Sequence, residues 1–349
     1  MKKKKKIIRL AVSFVVLLAL IGGYVAMTVM FPKEEESSEQ EDNKINVVKM
    51  NESDFRKITY SQDGESIELV YDEGTEKWST TNDADCPVDN YKVSNMIDTM
   101  CDLDSTTEIK GDDIDEESFG LNNPSKTIDV VLEDGTERKF VIGGYNDVVD
   151  KYYFTKDDSD SVYLIDSTLY NTMDYNLLRL AEVESYPTVA EQDLYEISLT
   201  KDGKTTYVVD NNDAAHKKND GTIPDCEWLS GSSLDKVSKA SDKDKMSEFI
   251  TGICGLSNSE TVTYKKTEAD MKKYGLETPK TLKLTVKYTE MKSNESESDE
   301  LPQIIDKSFT VYVGGKDKKS GEYYVMMDGS KAIYTMNVSK VESLLGVLE

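Results

Sequence analysis

Histidine is all but missing from this 349-residue chain: the only one is His216, in the polar stretch "NNDAAHKKNDG". A lone imidazole supplies neither a His-rich zinc site nor a histidine pair, and its loop-like surroundings fit an ordinary solvated side chain. Positive charge is also scarce. Lys and Arg total 42 against 67 Asp and Glu, a net charge of −25, which repels phosphate backbones at long range and disfavours nucleic acid as a partner. Only four cysteines occur, Cys86, Cys101, Cys226 and Cys254. Recognisable catalytic strings are lacking as well. Gly143-Gly144 and Gly314-Gly315 have neither the spaced glycines nor the Lys-Ser/Thr of a phosphate-cradling loop, and read as turn glycines. The acidic runs "DDIDEE" (from Asp112) and "DDSDS" (from Asp157) lack the mid-loop glycine and final glutamate of a calcium loop. Ser233 and Lys236 have a Ser-x-x-Lys spacing, but its companion Ser-Asp-Asn and Lys-Thr-Gly strings do not occur.

The N-terminus has what the rest lacks. Lys2 to Lys6 and Arg9 form a cationic head, and Leu10 to Phe31 carry no charge. About twenty apolar residues suffice to cross a bilayer as a helix, with the positive cluster left on the cytoplasmic side. A cleaved signal peptide is the competing reading; its apolar region is shorter and ends in small residues, whereas this run continues through "YVAMTVMF". The expectation is an uncleaved signal anchor over residues 1–31, single-pass in the cell membrane, with the bulk of the chain outside. Removing the six basic residues of that head takes the charge of the exported part to −31. Residues 32–46, "PKEEESSEQEDNKIN", read as a flexible acidic stalk.

Beyond the stalk the chain repeats itself. "DFRKITYSQDG" from Asp54 matches "DLYEISLTKDG" from Asp193, each ending in the Asp-Gly of a tight hairpin. A lone tryptophan follows, Trp78 or Trp228. Then comes an apolar stripe at helical spacing: Val93, Met96, Ile97, Met100 and Cys101, echoed by Met246, Phe249, Ile250, Ile253 and Cys254. Burying five such side chains contributes on the order of 10 kcal/mol before entropy is charged against it. "FGLNNPSKTIDVVL" and "YGLETPKTLKLTV" come next, each with a glycine suited to a helix C-cap and a proline opening a strand. Three further alternating strands and a short helix complete each copy. From Asp54/Asp193 to Tyr163/Tyr334 the offset grows from 139 to 171 residues, the large steps falling at polar inserts near Asn211 and Ser293. This is the signature of a duplicated domain. The expected fold class is α+β: a transmembrane helix, then two tandem domains, 47–190 and 191–349, each an antiparallel β-meander with one main amphipathic helix.

The order Trp78, Pro87-Val88-Asp89, helix, Gly120-Leu121, Pro124, Gly143, Tyr152-Tyr153 and Tyr163, with "LLRL" at Leu177 to Leu180, resembles the bacterial domain-of-unknown-function family 4340. The resemblance covers most of the chain from about Trp78 onward. It implies an exported, anchored protein of a kind often associated with auxiliary parts of gliding-type ABC transporters. That family has no established activity, so no catalytic residue or cofactor is carried over. The second copy departs from the pattern in lacking Pro-Val-Asp after Trp228, which leaves Asp89 without a counterpart.

Two groups of candidate residues remain. Tyr152, Tyr153, Tyr323 and Tyr324 lie in matching strands, where alternation points one of each pair away from the core; an exposed aromatic row of this kind binds protein or envelope glycan. An oxidising compartment permits one disulfide per copy, Cys86–Cys101 and Cys226–Cys254, while Cys101 and Cys254 also fit as small buried hydrophobes on the helical stripes. With no cofactor or metal site in view, the expected function is a non-catalytic binding or scaffold module in a membrane complex. The alternative is a cell-envelope hydrolase using paired carboxylates, or Ser233.

Overall fold

The computed structural model describes residues 44–62, 64–111, 114–157, 159–210, 228–239, 242–277, 281–292 and 303–348. The expected anchor at 1–31 and most of the stalk lie outside them. Among the described residues no helix is long and apolar enough to cross a membrane.

The first half runs β1 (Ile45–Lys49), β2 (Phe55–Gln62), β3 (Glu65–Asp72), β4 (Lys77–Thr80), α1 (Asn90–Cys101), β5 (Asp102–Ser105), β6 (Glu108–Lys110), β7 (Lys126–Leu132), β8 (Glu137–Asn146), β9 (Lys151–Lys156), β10 (Ser161–Ile165), α2 (Thr168–Thr172) and α3 (Leu177–Leu180). The second runs β11 (Leu194–Lys201), β12 (Lys204–Asp210), β13 (Trp228–Gly231), β14 (Val237–Lys239), α4 (Lys243–Cys254), β15 (Thr261–Thr263), α5 (Glu268–Tyr274), β16 (Leu282–Lys292), β17 (Gln303–Lys316), β18 (Tyr323–Met327), β19 (Ile333–Met336) and α6 (Val338–Leu345).

The α+β expectation is corrected: the described chain is mostly β-sheet, in three antiparallel sheets. A two-stranded sheet pairs β1 with β5. The eight-stranded sheet has the order β4-β3-β2-β7-β8-β9-β10-β6, and the nine-stranded one β14-β13-β12-β11-β16-β17-β18-β19-β15. Strand for strand the two large sheets match, with β14 added at one edge. Neither is one meander. β2 and β11 use both edges: the hairpin partner lies on one side, and after the main helix the chain returns to pair on the other. Ile58 thus faces Val130, and Ile197 faces Val286. Each pairing carries a register shift at the same place, Phe55/Lys57 and Leu194/Glu196. The short edge strands β6, β14 and β15 have too few residues for alternation to reveal them.

By backbone packing the chain divides into two compact units. One comprises 44–50, Met100–Ser125 and Ile142–Ser167; the other comprises Asn51–Thr99, Lys126–Val141 and residues 168–348. Within the larger unit, Met246, Phe249, Ile250 and Ile253 of α4 share one buried core with Ile197 and Leu199 of β11 and with Leu284 and Val286 of β16. The stripe of α1 is buried likewise, Val93, Met96 and Met100 completely. Lys126 is an exception to apolar burial, with its side chain 3% exposed. Its ammonium donates to Gln62 Oε1 (2.5 Å) and Met173 O (3.0 Å), lies 3.7 Å from Asp174 and sits 4.8 Å from the Tyr170 ring. These partners offset its desolvation and tie the segment after α2 to the sheet.

The two Gly-Gly pairs are not turn glycines, which corrects that expectation: they lie inside β8 and β17. The reason is steric. A Cβ on Gly143 would lie 2.3 Å from the Phe119 carbonyl oxygen, and one on Gly314 2.1 Å from that of Tyr274. The preceding Gly-Leu loops, turned by Gly120 (φ 69°) and Gly275 (φ 74°), bring that carbonyl down onto the strand. Gly144 N donates to Phe119 O at 2.7 Å, and Thr281 Oγ1 donates to Gly314 O at 2.5 Å.

Gly143→Ala and Gly314→Ala should each cost about 3 kcal/mol or more, read from urea unfolding. Gly144→Ala and Gly315→Ala, whose added carbons would meet the same oxygens at 3.4 and 3.8 Å, should cost much less. Equal losses at all four positions would refute the steric account. A pH effect follows from Asp174. Its hydrogen bond from Arg179 holds the carboxyl below its ordinary range, against a smaller effect of burial and with help from Lys126. A depressed folded pKa gives stability that is present above the unfolded value of about 3.9 and lost as pH falls through the folded one. Asp174→Asn should therefore flatten the acid limb of the stability curve without removing it.

Candidate functional site

A cleft of about 410 Å³ opens in the larger unit, lined by Glu65, Asp83, Asn176, Leu177, Leu178, Thr263, Tyr264 and Lys265. Four pieces of chain build it, one of them the start of β3 with Glu65. A bend after β4 carries Asp83 and Asp85, fixed by the Asp83 carboxylate accepting from Asp85 N (3.0 Å) and by Cys86 N donating to Asp83 O (3.0 Å). The turn of α3 supplies Asn176 to Leu178, with Asn176 Oδ1 accepting from Arg179 N (3.0 Å) as its N-cap. The end of β15 contributes Thr263, then Tyr264 and Lys265.

The side chains are already engaged with one another. Lys265 Nζ lies 2.5 Å from Asp85 Oδ2 and 3.8 Å from Asp83 Oδ1, and Tyr264 OH donates to Asp83 Oδ2 at 3.1 Å. The hydrogen bond with Lys265 draws the Asp85 carboxyl below its usual range, and the same contact raises the Lys265 ammonium. Burial pushes the Tyr264 phenol up, and its bond to Asp83 adds to this. Cys86 is buried beside them, its thiol donating to Leu177 O at 3.7 Å. Burial, then the Asp83 charge, raise that thiol to about 11, so at neutral pH it is protonated and a poor nucleophile. The cleft thus offers carboxylates bridged by one ammonium, a phenol and backbone groups. That set recognises polar or charged groups; it holds no activated nucleophile.

The tyrosines named from the sequence sit elsewhere, in two braced pairs. Tyr153 stacks on Phe119 (4.2 Å, 15°), and its hydroxyl accepts from Asn146 Nδ2 at 2.8 Å. Tyr324 lies 4.3 Å from Tyr274 and donates to Asp317 Oδ1 at 2.6 Å. Tyr323 is buried, and Tyr152 is half-buried with its ring 5.0 Å from Tyr145. None of the four is exposed. The tyrosines beside the Gly-Leu loops pack on them and hold the loop carbonyl against the strand.

The other candidates are dispersed. Cys86, Cys101 and Cys254 stand as thiols in the structure; Cys226 lies outside the described residues, as does His216. Ser233 opens a short turn in which its carbonyl accepts from Lys236 N at 3.0 Å. Asp115 accepts from Ser118 N (3.0 Å) and Ser118 Oγ (2.7 Å), and Asp112 and Asp113 are outside the described residues. Among the described residues no group of three His, Cys, Asp or Glu side chains is placed to hold a metal ion. Asp89 caps α1, its carboxylate accepting from Tyr91 N at 3.1 Å. The cleft itself escapes sequence reasoning, because Asp83 and Lys265 are far apart in the chain and belong to no periodic pattern.

The family described as Domain of unknown function (DUF4340) matches this chain twice, over residues 78–240 and 235–346. The chain belongs to that family. Within it, both matched segments begin shortly before a main helix, the first at Trp78 ahead of α1 and the second at Asp235 ahead of α4. Comparison with curated proteins and with solved structures finds no match.

The Cys86 thiol should resist iodoacetamide in the folded protein at pH 8, where a group titrating near 11 is about one part in a thousand ionised. It should react at an ordinary rate in urea. Rapid native labelling, mapped by peptide mass spectrometry, would contradict the geometry described for the cleft.

Proposed function

We propose that this chain is a membrane-tethered, non-catalytic docking module that serves as an accessory of a membrane complex of the ABC-transporter or envelope type. The observation that carries this reading is the state of the cleft. Two of its carboxylates, Asp83 and Asp85, are engaged by Lys265 and Tyr264, and the neighbouring thiol is held protonated. Such groups bind and do not attack. Among the described residues each carboxylate with a resolved shift, from Glu68 to Asp317, is drawn downward, whereas a general acid for glycoside hydrolysis needs an upward one.

The tether is supported by sequence: the cationic head before Leu10 and the uncharged run to Phe31 suit a single-pass anchor with the remainder extracytoplasmic. The resemblance to family 4340 supports the complex. The strongly acidic composition disfavours nucleic acid and favours partners with basic surfaces.

Mild detergent extraction of the tagged full-length chain, followed by mass spectrometry, tests the proposal. A control lacking everything after Asn46 removes binding due to the anchor alone. Integral-membrane subunits of a transporter or envelope machine should be enriched over that control. No enrichment, together with cleavage of cell-wall glycan by the full-length protein, would reverse the reading in favour of a hydrolase.

A further inference from the structure

The end of β8 and the turn to β9 read Tyr145-Asn146-Asp147-Val148-Val149-Asp150, and three exposed hydrophobic side chains lie in this stretch. Val148 is 92% exposed, Val149 46% and Tyr145 44%. An exposed valine is ordinary by itself. Here the loop is built to hold it out. Asn146 Oδ1 accepts from Val148 N (3.0 Å), Asn146 O accepts from Val149 N (3.3 Å), and Asn146 Nδ2 donates to Tyr153 OH (2.8 Å). The Tyr145 hydroxyl donates to the Asp150 carboxylate, and Asp150 itself adopts φ 58°, a left-handed conformation uncommon outside glycine. Tyr153 is in turn stacked on Phe119. The apolar tip is therefore pre-organised, which lowers the entropy lost when it is covered.

The duplicate provides an internal comparison. Its equivalent stretch, Lys316-Asp317-Lys318-Lys319-Ser320-Gly321, keeps the bracing: Asp317 accepts from Ser320 N (2.7 Å), Lys319 N (3.2 Å) and Tyr324 OH (2.6 Å). Its tip, however, carries lysines. The scaffold of the loop is common to both copies, and what it presents is not. The first copy presents two valines between two aspartates, the second a basic surface.

We propose that the Val148–Val149 tip is the contact by which this module docks, inserting into an apolar pocket rimmed by Lys or Arg on a protein of the membrane complex. This rests on the docking reading above. The flanking Asp147 and Asp150 select the partner's chemistry, because carboxylates beside the knob pair with a basic rim and are repelled by an anionic lipid surface.

The test introduces the photoreactive residue p-benzoylphenylalanine in place of Val148 in the full-length, membrane-located protein in its own cells. A second variant carries it in place of Lys318. Irradiation should give a discrete protein adduct from position 148 and none from position 318. The cross-linked peptide should hold apolar residues flanked by Lys or Arg, and the adduct should be lost when Val149→Asp is added. Resistance to limited proteolysis shows that each variant is folded. No adduct above the position-318 level, an adduct to lipid, to a second copy of the chain, or to a peptide without basic residues would each overturn the proposal. If co-purification still finds a partner while position 148 stays unlinked, the tip assignment fails and the docking reading survives.

Discussion

A carbonyl oxygen pressed against a glycine organises each half of this protein. Phe119 O rests on Gly143-Gly144, and Tyr274 O on Gly314-Gly315, at distances that leave no room for a side chain on the first glycine of each pair. The contact fixes where the loop after the main helix meets the sheet. It thereby sets the start of β7 and β16, which pair with β2 and β11. The aromatic packing of Phe119 on Tyr153 and of Tyr274 on Tyr324 closes the loop over the same contact. Backbone contacts of this kind cannot be repaired by side-chain repacking, because the glycine cannot move without shifting its strand.

Much of this is legible in the sequence, though unevenly. The main helices are readable because Val93, Met96, Ile97 and Met100, like Met246, Phe249, Ile250 and Ile253, repeat at helical spacing and are buried as that spacing requires. The β11–β12 hairpin is readable because Asp202-Gly203 both take positive φ. Fold class is misjudged for a physical reason: strand number is hidden when strands are as short as β6 and β15. The glycine pairs are misassigned because sequence shows that a side chain is missing but not which atom occupies its place. The paired tyrosines are visible as a pattern, yet their half-burial against Phe119 and Tyr274 depends on contacts between residues well separated in the chain.

The cleft around Lys265 and the tip at Val148 are hidden for another reason. Tyr264 and Lys265 meet Asp83 and Asp85 only through the fold, so no local spacing announces them. Val148 looks like any valine until its exposure is known. Duplication helps here, since two copies of one sheet share what the fold demands and differ where its demands end. The glycine contact and the braced tyrosine are shared. The loop tips differ, and so do the Pro87-Val88-Asp89 segment, whose Val88 bridges to Ala181, and the extra strand β14.

The central claim is that one sheet architecture occurs twice, the second copy with a core of its own. The core of the second copy is formed by buried residues from Tyr186 to Leu344, with partly buried neighbours from Val183 to Leu348. Expression of residues 182–349 alone, followed by urea unfolding monitored through far-ultraviolet circular dichroism, addresses that claim most directly. The account predicts a β-type spectrum and a single cooperative transition. A disordered spectrum, or a gradual loss of signal without a transition, would contradict it.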